Sequence, residues 1–332
     1  MTTCARIVST GMAVPDRIVT NEDLRQWMDT SDEWIRQRTG IEQRHWVRPD
    51  EPEGASDLGL RAATAALDEA GWDAQDIDLI LFATLSPDIE FPGSGCLLQH
   101  KLGLETTPAM DIRNQCSGFL YGLATADAWI RAGMARRILL VGAEVHSTGL
   151  DISTRGRAVT VIFGDGAGAA CIEASPEPGI LATRLHAQGE FAGCLMTEAP
   201  ASRHWPRIDA QMIAEGRHFP HMEGPTVFKH AVRRLPEVAA EVLEAANVSL
   251  DDIDIVVPHQ ANLRINQFVA RALKLDESRV VNNIQRYGNT TAASIPIALH
   301  EARQDGRIAP GSTVLFLGFG AGFTWGGAVC RF

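Results

Sequence analysis

The stretch Met110-Asp111-Ile112-Arg113-Asn114-Gln115-Cys116-Ser117-Gly118-Phe119-Leu120-Tyr121, continuing through Gly122-Leu123-Ala124-Thr125-Ala126-Asp127-Ala128-Trp129-Ile130, decides how the rest of the chain is read. Its first part has the pattern of a short buried strand, and its second the 3.6-residue periodicity of a helix. Cys116 then falls at the strand-to-helix junction, with Ser117 and Gly118 keeping the turn uncrowded. The free N–H groups and dipole of a helix start favour negative charge, which biases a thiol there towards thiolate. A nucleophilic cysteine needs that bias. A small buried hydrophobe would fit the position too, and this stretch alone leaves both readings open.

Composition narrows the classes. The chain has 332 residues, enough for two domains or one large α/β unit, and its 45% hydrophobic content supports a substantial core. A net charge of −11 argues against general nucleic-acid binding and against attraction to anionic lipid. No run reaches the ~18 apolar residues that would span a bilayer. The start, Met1 to Val8, enters a strand-like pattern at once and lacks a signal-peptide core. Six cysteines (Cys4, Cys96, Cys116, Cys171, Cys194, Cys330) show no paired spacing, so neither a zinc site nor a disulfide framework is expected. A reducing, cytoplasmic compartment is the simplest expectation.

In chain order, Thr20-Asn21-Glu22-Asp23-Leu24 starts a helix with acidic residues in its first turn, and Ser31 is an N-cap for a second. Ser56 to Ala70 reads as a helix stopped by Gly71. Residues 76–83 and 137–144 read as strands buried on both faces of a parallel sheet. A faint repeat decides the architecture. Leu67, Ala70 and Asp76-Ile77-Asp78 reappear 176 residues later as Leu243, Ala246 and Asp252-Ile253-Asp254. At the same offset Ile138–Gly142 falls on Val314–Gly318. Duplication of an α/β unit explains both, with halves at 1–175 and 176–332. Segment 189–221, rich in Pro and His, reads as an irregular cap after the junction.

Three further stretches carry polar residues where apolar ones would continue a core. His259 follows the apolar run Ile255–Pro258, Asn289 sits in the turn Tyr287-Gly288-Asn289-Thr290-Thr291, and Gly318-Phe319-Gly320-Ala321-Gly322-Phe323 is a glycine-rich turn. Each has an ordinary structural explanation alone. Together they fall at the C-terminal ends of strands, the edge where α/β folds put their sites.

Here the sequence resembles the thiolase-like condensing enzymes, specifically the β-ketoacyl-acyl carrier protein synthase III family. The resemblance covers essentially the whole chain. It rests on Thr30-Ser31-Asp32-Glu33-Trp34-Ile35, Arg38-Thr39-Gly40-Ile41, Cys116-Ser117-Gly118-Phe119, Phe163–Gly168, His259-Gln260-Ala261-Asn262, Tyr287–Thr291 and Phe323-Thr324-Trp325-Gly326. It implies a layered α-β-α-β-α fold and a cysteine, Cys116, that takes an acyl group from a coenzyme A thioester. Malonyl thioester then loses CO2, and its carbanion attacks the acyl-enzyme. His259 and Asn289 are implied as N–H donors to the enolate, and the backbone N–H groups of Cys116 and Ala321 as the oxyanion hole. Trp34 and Arg157 match positions that sandwich the adenine of coenzyme A; Thr30, Arg38, Met222, Gly224, Phe228 and Asn262 match others along its channel. Phe91 matches a residue closing the acyl pocket across a homodimer interface. Lys229, Arg264 and Arg271 match positions that dock acyl carrier protein, and Arg233 lies on the same side of its helix as Lys229. No metal or bound cofactor is implied, the coenzyme A thioester being substrate.

Some positions depart from the family pattern. Arg113-Asn114-Gln115 precede the cysteine where small residues are usual, Ala321 replaces a glycine, and segment 189–221 is long for a short-primer member. These leave the chemistry intact and put the primer in question. A degradative thiolase would carry a second cysteine in the 319–323 turn, and an elongating synthase a histidine at position 289. Starter condensation in polyketide or other secondary metabolism shares Cys, His and Asn and stays open. A cysteine hydrolase would use the same residue types but release a free acid.

Overall fold

Two mixed β-sheets lie one over the other in the computed structural model, which describes residues 3–332. The first runs in the order Cys4–Ala13, Gly166–Ser175, Arg137–Glu144, Leu79–Ala83, Ala109–Ile112. The second runs Ile255–Pro258, Thr313–Gly320, Thr324–Arg331, Ile180–Ala187. Leu79–Ala83 is parallel to both of its neighbours, and Ile255–Pro258 is parallel to Thr313–Gly320. The remaining pairs are antiparallel.

The strand alternation explains the layers. Leu79, Leu81, Ile138 and Leu140 share a core with Phe119, Leu123 and Ile130 of helix Gly118–Arg131 and with Ile295 and Leu299 of helix Ser294–Gln304. Val314 and Phe316 of the second sheet close the same core from the other side. The opposite faces turn outward. Ile80, Phe82, Leu139 and Val141 meet helix Ala55–Ala70, and Leu315, Leu317 and Val329 meet helix Gly224–Ala246. The result is helix, sheet, helix pair, sheet, helix. Each fully buried Leu or Phe in such a core contributes roughly 1.5–3 kcal/mol.

The offset of 176 recurs in three dimensions. The 3-10 turn Gln115–Ser117 precedes one central helix and the turn Thr291–Ala293 precedes the other. Gln115 and Thr291 both adopt a left-handed backbone, at φ 45° and 48°. The central helices approach the strands so closely that a Cβ on Gly142 would lie 2.4 Å from the Ala292 carbonyl oxygen. Gly318, the repeat mate of Gly142, has the Cys116 carbonyl oxygen 3.5 Å from the same point.

Two expectations change. Ala109–Ile112 is not a buried strand in the single chain. It is the last strand of its sheet, with one neighbour, and Met110 and Asp111 are exposed while Ile112 is buried. Segment 189–221 contains small elements: Leu195–Thr197 pairs antiparallel with Pro220–Met222, and Ala210–Ala214 forms a short helix. The expected caps are present, with Ser31 accepting from the Trp34 N–H at 3.1 Å and Gly71 at φ 66° ending its helix. None of the six cysteines is in a disulfide.

Candidate active site

Cys116 lies in the 3-10 turn before helix Gly118–Arg131 and is buried. Strand Thr313–Gly320 ends against it, and a Cβ on Gly320 would sit 2.4 Å from Cys116 Cβ and 2.7 Å from Sγ. Only glycine fits there. Three groups can donate to the sulfur: the backbone N–H of Ala321, its own N–H and the Thr291 hydroxyl. The helix-start argument nonetheless loses to burial. Desolvation first, and then the neighbouring Glu144 carboxylate, push the free thiol up to about 12. Glu144 is itself buried and lifted to about 7, although it accepts from Ser86 Oγ at 2.5 Å and from the N–H groups of Leu85 and Ser86. Its opposition to a thiolate is therefore partial at neutral pH.

His259 follows strand Ile255–Pro258 and is anchored by its N–H to the Leu317 carbonyl at 2.7 Å. Its Nδ1 lies 2.6 Å from Ser294 Oγ, at the start of a central helix. Nε2 is buried with no protein partner. We assign the ring hydrogen to Nε2, with the Ser294 hydroxyl donating to Nδ1. Burial holds the ring's pKa down to about 3, so it is neutral and a donor. Gln260 fixes the turn, donating to the Pro258 and Val281 carbonyls and accepting from the Asn283 N–H.

Asn289 is held on both backbone sides. It donates to the Ile162 carbonyl at 2.8 Å and accepts from the Gly164 N–H at 3.1 Å. Its Oδ1 accepts from the Thr291 N–H at 2.8 Å, which leaves Nδ2 without a partner among the described residues. Segment 289–294 thus ties the candidates together. Thr291 touches Cys116, Asn289 bonds Thr291, and Ser294 holds His259.

A cavity of about 890 Å³ opens from the sulfur. Cys116, Gln115, His146, Phe163, Thr291 and Ala321 line its inner end. Residues 52–55, 85–88 and Glu90 line the rest together with Leu195, Met196, Pro200 and His218 of the 189–221 segment. Neither His259 nor Asn289 is part of that wall.

The residues expected along the coenzyme A channel gather elsewhere. The guanidinium carbons of Arg38 and Arg157 lie 4.4 and 4.7 Å from the Trp34 ring centre. Trp34, Met222 and Leu263 pack on one cluster, and Arg264 lies 5.7 Å from the Phe228 ring. The Thr30 hydroxyl is buried and unpartnered. Gly224 opens its helix. Asn262 caps helix Leu263–Ala272 through Oδ1 and donates from Nδ2 to the Arg38 carbonyl, so both ends of its amide are occupied. Phe91 is 79% exposed on the single chain. Lys229, Arg264 and Arg271 are exposed and in no ion pair among the described residues, whereas Arg233 pairs with Glu237 at 3.0 Å. Glu144, His146, Thr291 and Ser294 were not singled out from sequence. The usable signal was a carboxylate ending the apolar run Ile138–Ala143, with a histidine two residues on.

Residues 110–189 match the 3-oxoacyl-[acyl-carrier-protein] synthase III family and residues 243–332 match its C-terminal domain. The 3-oxoacyl-[acyl-carrier-protein] synthase III from Aquifex aeolicus is 40% identical, with a TM-score of 0.90 over 99% of this chain and 100% of that one. This chain belongs to the 3-oxoacyl-[acyl-carrier-protein] synthase III family. The Thermus thermophilus synthase III is 39% identical, at a TM-score of 0.90 over 98% of this chain and 99% of that one. The priming β-ketosynthase of the R1128 polyketide pathway is 32% identical, at 0.89 over 99% and 96%. The fold is accordingly thiolase-like, and the chain is an acyl-transferring condensing enzyme. Among the described residues, no helix is long and apolar enough to cross a membrane, and no group of three or more His, Cys, Asp or Glu could hold a metal ion.

Proposed function

We propose that this synthase joins an acyl-CoA primer to malonyl-acyl carrier protein, releasing CO2 and giving a 3-oxoacyl-acyl carrier protein, through an acyl thioester on Cys116. The observation that carries this is the knot at 289–294, which links a buried sulfur to two otherwise unpartnered N–H donors, His259 Nε2 and Asn289 Nδ2. The thiolate bonds to the acyl carbonyl carbon while the Cys116 and Ala321 N–H groups receive the oxyanion, and the coenzyme A sulfur leaves with the proton. Malonyl thioester then loses CO2, and its enolate oxygen takes hydrogen bonds from His259 and Asn289. Neither serves as a base: burial makes the His259 ring reluctant to take up a proton, and an amide nitrogen is not basic. The carbanion carbon attacks the acyl carbonyl, and Cys116 leaves as thiolate.

Coenzyme A enters past Trp34, its adenine sandwiched between the Trp34 ring and the Arg157 guanidinium, with Arg38, Thr30, Met222, Gly224, Phe228 and Asn262 along the channel. The halves are residues 1–175 and 176–332, the first supplying sulfur and the second the donors. The working unit is a cytoplasmic homodimer. The unpaired outer edge of Ala109–Ile112 and the exposed Phe91 suit pairing with a second copy.

A second reading concerns the primer: a medium-length or longer acyl group, as a starter condensation in secondary metabolism would use, or malonyl-CoA as extender. The cavity favours it, being near the upper end of the ~300–1,000 Å³ typical of small-molecule sites. Mass spectrometry after incubation with acyl-CoAs from C2 to C12 tests both readings. An acyl adduct on Cys116 that disappears when malonyl thioester is added, and is absent in Cys116→Ala, is expected. An adduct that persists in Cys116→Ala refutes the assignment, and acetyl-CoA outperforming every C6–C12 primer in kcat/KM refutes the second reading.

A further inference from the structure

A second histidine lies within two hydrogen bonds of the nucleophile. His146 follows Glu144 at the C-terminal end of strand Arg137–Glu144 and is buried. Its backbone N–H donates to Asp165 Oδ1 at 2.7 Å, and the same carboxylate accepts from the Ser147 N–H and hydroxyl and from the Val47 N–H. The ring packs on Phe163 with centroids 4.6 Å apart. Nε2 is 2.8 Å from Thr291 Oγ1, and Thr291 Oγ1 in turn touches the Cys116 sulfur. Thr291 is held where this requires, at φ 48° with its N–H on Asn289 Oδ1.

A threonine hydroxyl has one hydrogen. If it points to His146 Nε2, the sulfur receives nothing from it. If Nε2–H donates to the hydroxyl oxygen, the hydroxyl hydrogen is free to turn to the sulfur. Nδ1 has no protein partner among the described residues, and His146 lines the cavity, where water can meet that nitrogen. Once the sulfur is charged, the hydroxyl hydrogen turns to the anion and Oγ1 is left to accept from Nε2–H. The ring hydrogen that supports a thiolate is therefore the one on Nε2.

We propose that His146 is a positioning residue for the nucleophile: through Thr291 it turns a hydroxyl hydrogen onto the Cys116 sulfur and stabilises the thiolate. The proposal rests on Cys116 being the acylated residue, and it adds a role for side chains outside the Cys, His and Asn set. The device acts twice. In acylation the thiol loses its proton, the sulfur bonds to the acyl carbon, the bond from that carbon to coenzyme A breaks, and the coenzyme A thiolate takes up a proton. In condensation the same sulfur departs as thiolate, and the same hydrogen bond stabilises it.

The titratable groups around the sulfur are Glu144, His146 and His259. The histidines are neutral through the working range, and Glu144 titrates within it, opposing the thiolate alike in every variant. Differences between variants therefore isolate His146.

The test uses the full chain. Iodoacetamide alkylation of Cys116 is followed by mass spectrometry from pH 6 to 11, in parallel with acylation by acetyl-CoA and octanoyl-CoA. Losing the hydrogen bond to a charged sulfur should move the Thr291→Val profile about one unit to higher pH, roughly tenfold slower at pH 8, and His146→Leu, which leaves the hydroxyl in place but removes the N–H that orients and polarises it, should move the profile part of that way, about two- to threefold. His146→Gln, which keeps an N–H donor, should stay close to wild type. Superimposed His146→Leu and wild-type profiles would overturn the proposal. So would a His146→Gln profile displaced as far as that of His146→Leu, because packing alone would then account for the change. A wild-type protein that alkylates at Cys116 but accepts neither acyl group would overturn the condensation reading instead, leaving the thiol measurement to stand by itself.

Discussion

Gly320→Ala places a methyl group where the structure has no space. The new Cβ would lie 2.4 Å from Cys116 Cβ and 2.7 Å from its sulfur, against a normal carbon–carbon separation of ~3.5–4.0 Å. One side must move by about 1 Å. Gly320 ends a strand that is paired with Thr324–Arg331 up to its last residue and with Ile255–Pro258 over Val314–Leu317, so the displacement falls mainly on the 115–117 turn and its thiol. A misplacement of ~1 Å at a reacting atom can cost ~10²-fold in rate, and overpacking a core typically costs 1–3 kcal/mol. The expected variant therefore folds, melts a few degrees lower, and forms the acyl-enzyme ~10²-fold more slowly in a rapid-quench experiment read by mass spectrometry. Gly189→Ala, whose Cβ meets nothing within 4 Å, serves as control and should match wild type. If Gly320→Ala acylates within about threefold of wild type, the strand end does not fix the nucleophile and the steric argument fails.

His259→Ala and Asn289→Ala should still form the acyl-enzyme but release CO2 from malonyl thioester ~10²–10³-fold more slowly; loss of acylation itself would contradict the assignment. Arg264→Glu should weaken use of malonyl-carrier protein, more at low salt than high, because attraction between exposed charges is screened within ~8–10 Å. Acylation by acyl-CoA should barely change, and equal losses in both steps would remove the docking role. Burial depresses His146 and His259 to about 3, from an unfolded value of 6.5. The stability they contribute is complete above pH 6.5 and is lost as pH falls towards 3. Melting curves should therefore shift in favour of His146→Leu over wild type between pH 6.5 and 4, and parallel curves would contradict this.

Much of the architecture was legible because it is carried by local pattern. The apolar run expected over 76–83 survives as the strand Leu79–Ala83, its first residues being taken up by the turn Ala74–Asp76, and the run 137–144, the helix stop at Gly71 and the offset of 176 survive in three dimensions. Cys116 and His259 stood out because polar residues interrupted apolar runs at strand ends. Asn289 stood out in its glycine turn, but that turn follows the short helix Ile284–Tyr287 and not the strand that the pattern suggests. What was not legible depends on distant parts of the chain. The hydrogen bond from His146 to Thr291 joins residues 145 positions apart, and no local pattern links the two. The thiol was expected to be easily ionised from its place before a helix. The opposing terms, its burial and Glu144, arise only when the sheets close over it. Ala109–Ile112 reads as buried because its composition does, and strand order alone makes it an edge.

The separation between the cavity wall and the two donors has a consequence for how such an enzyme can be retuned. The wall comes from 52–55, 85–88, Glu90, parts of 192–220 and the loop after Glu144, while His259 and Asn289 stand outside it, Asn289 bonded to the wall residue Thr291. Under the proposed function, recognition of the group to be lengthened and activation of the unit that lengthens it are written into different residues. On that reading, substitution at Leu195, Met196 or His218 should alter which starter is accepted without disturbing carbanion formation, and one scaffold would serve many first carbons with a single way of adding the next two.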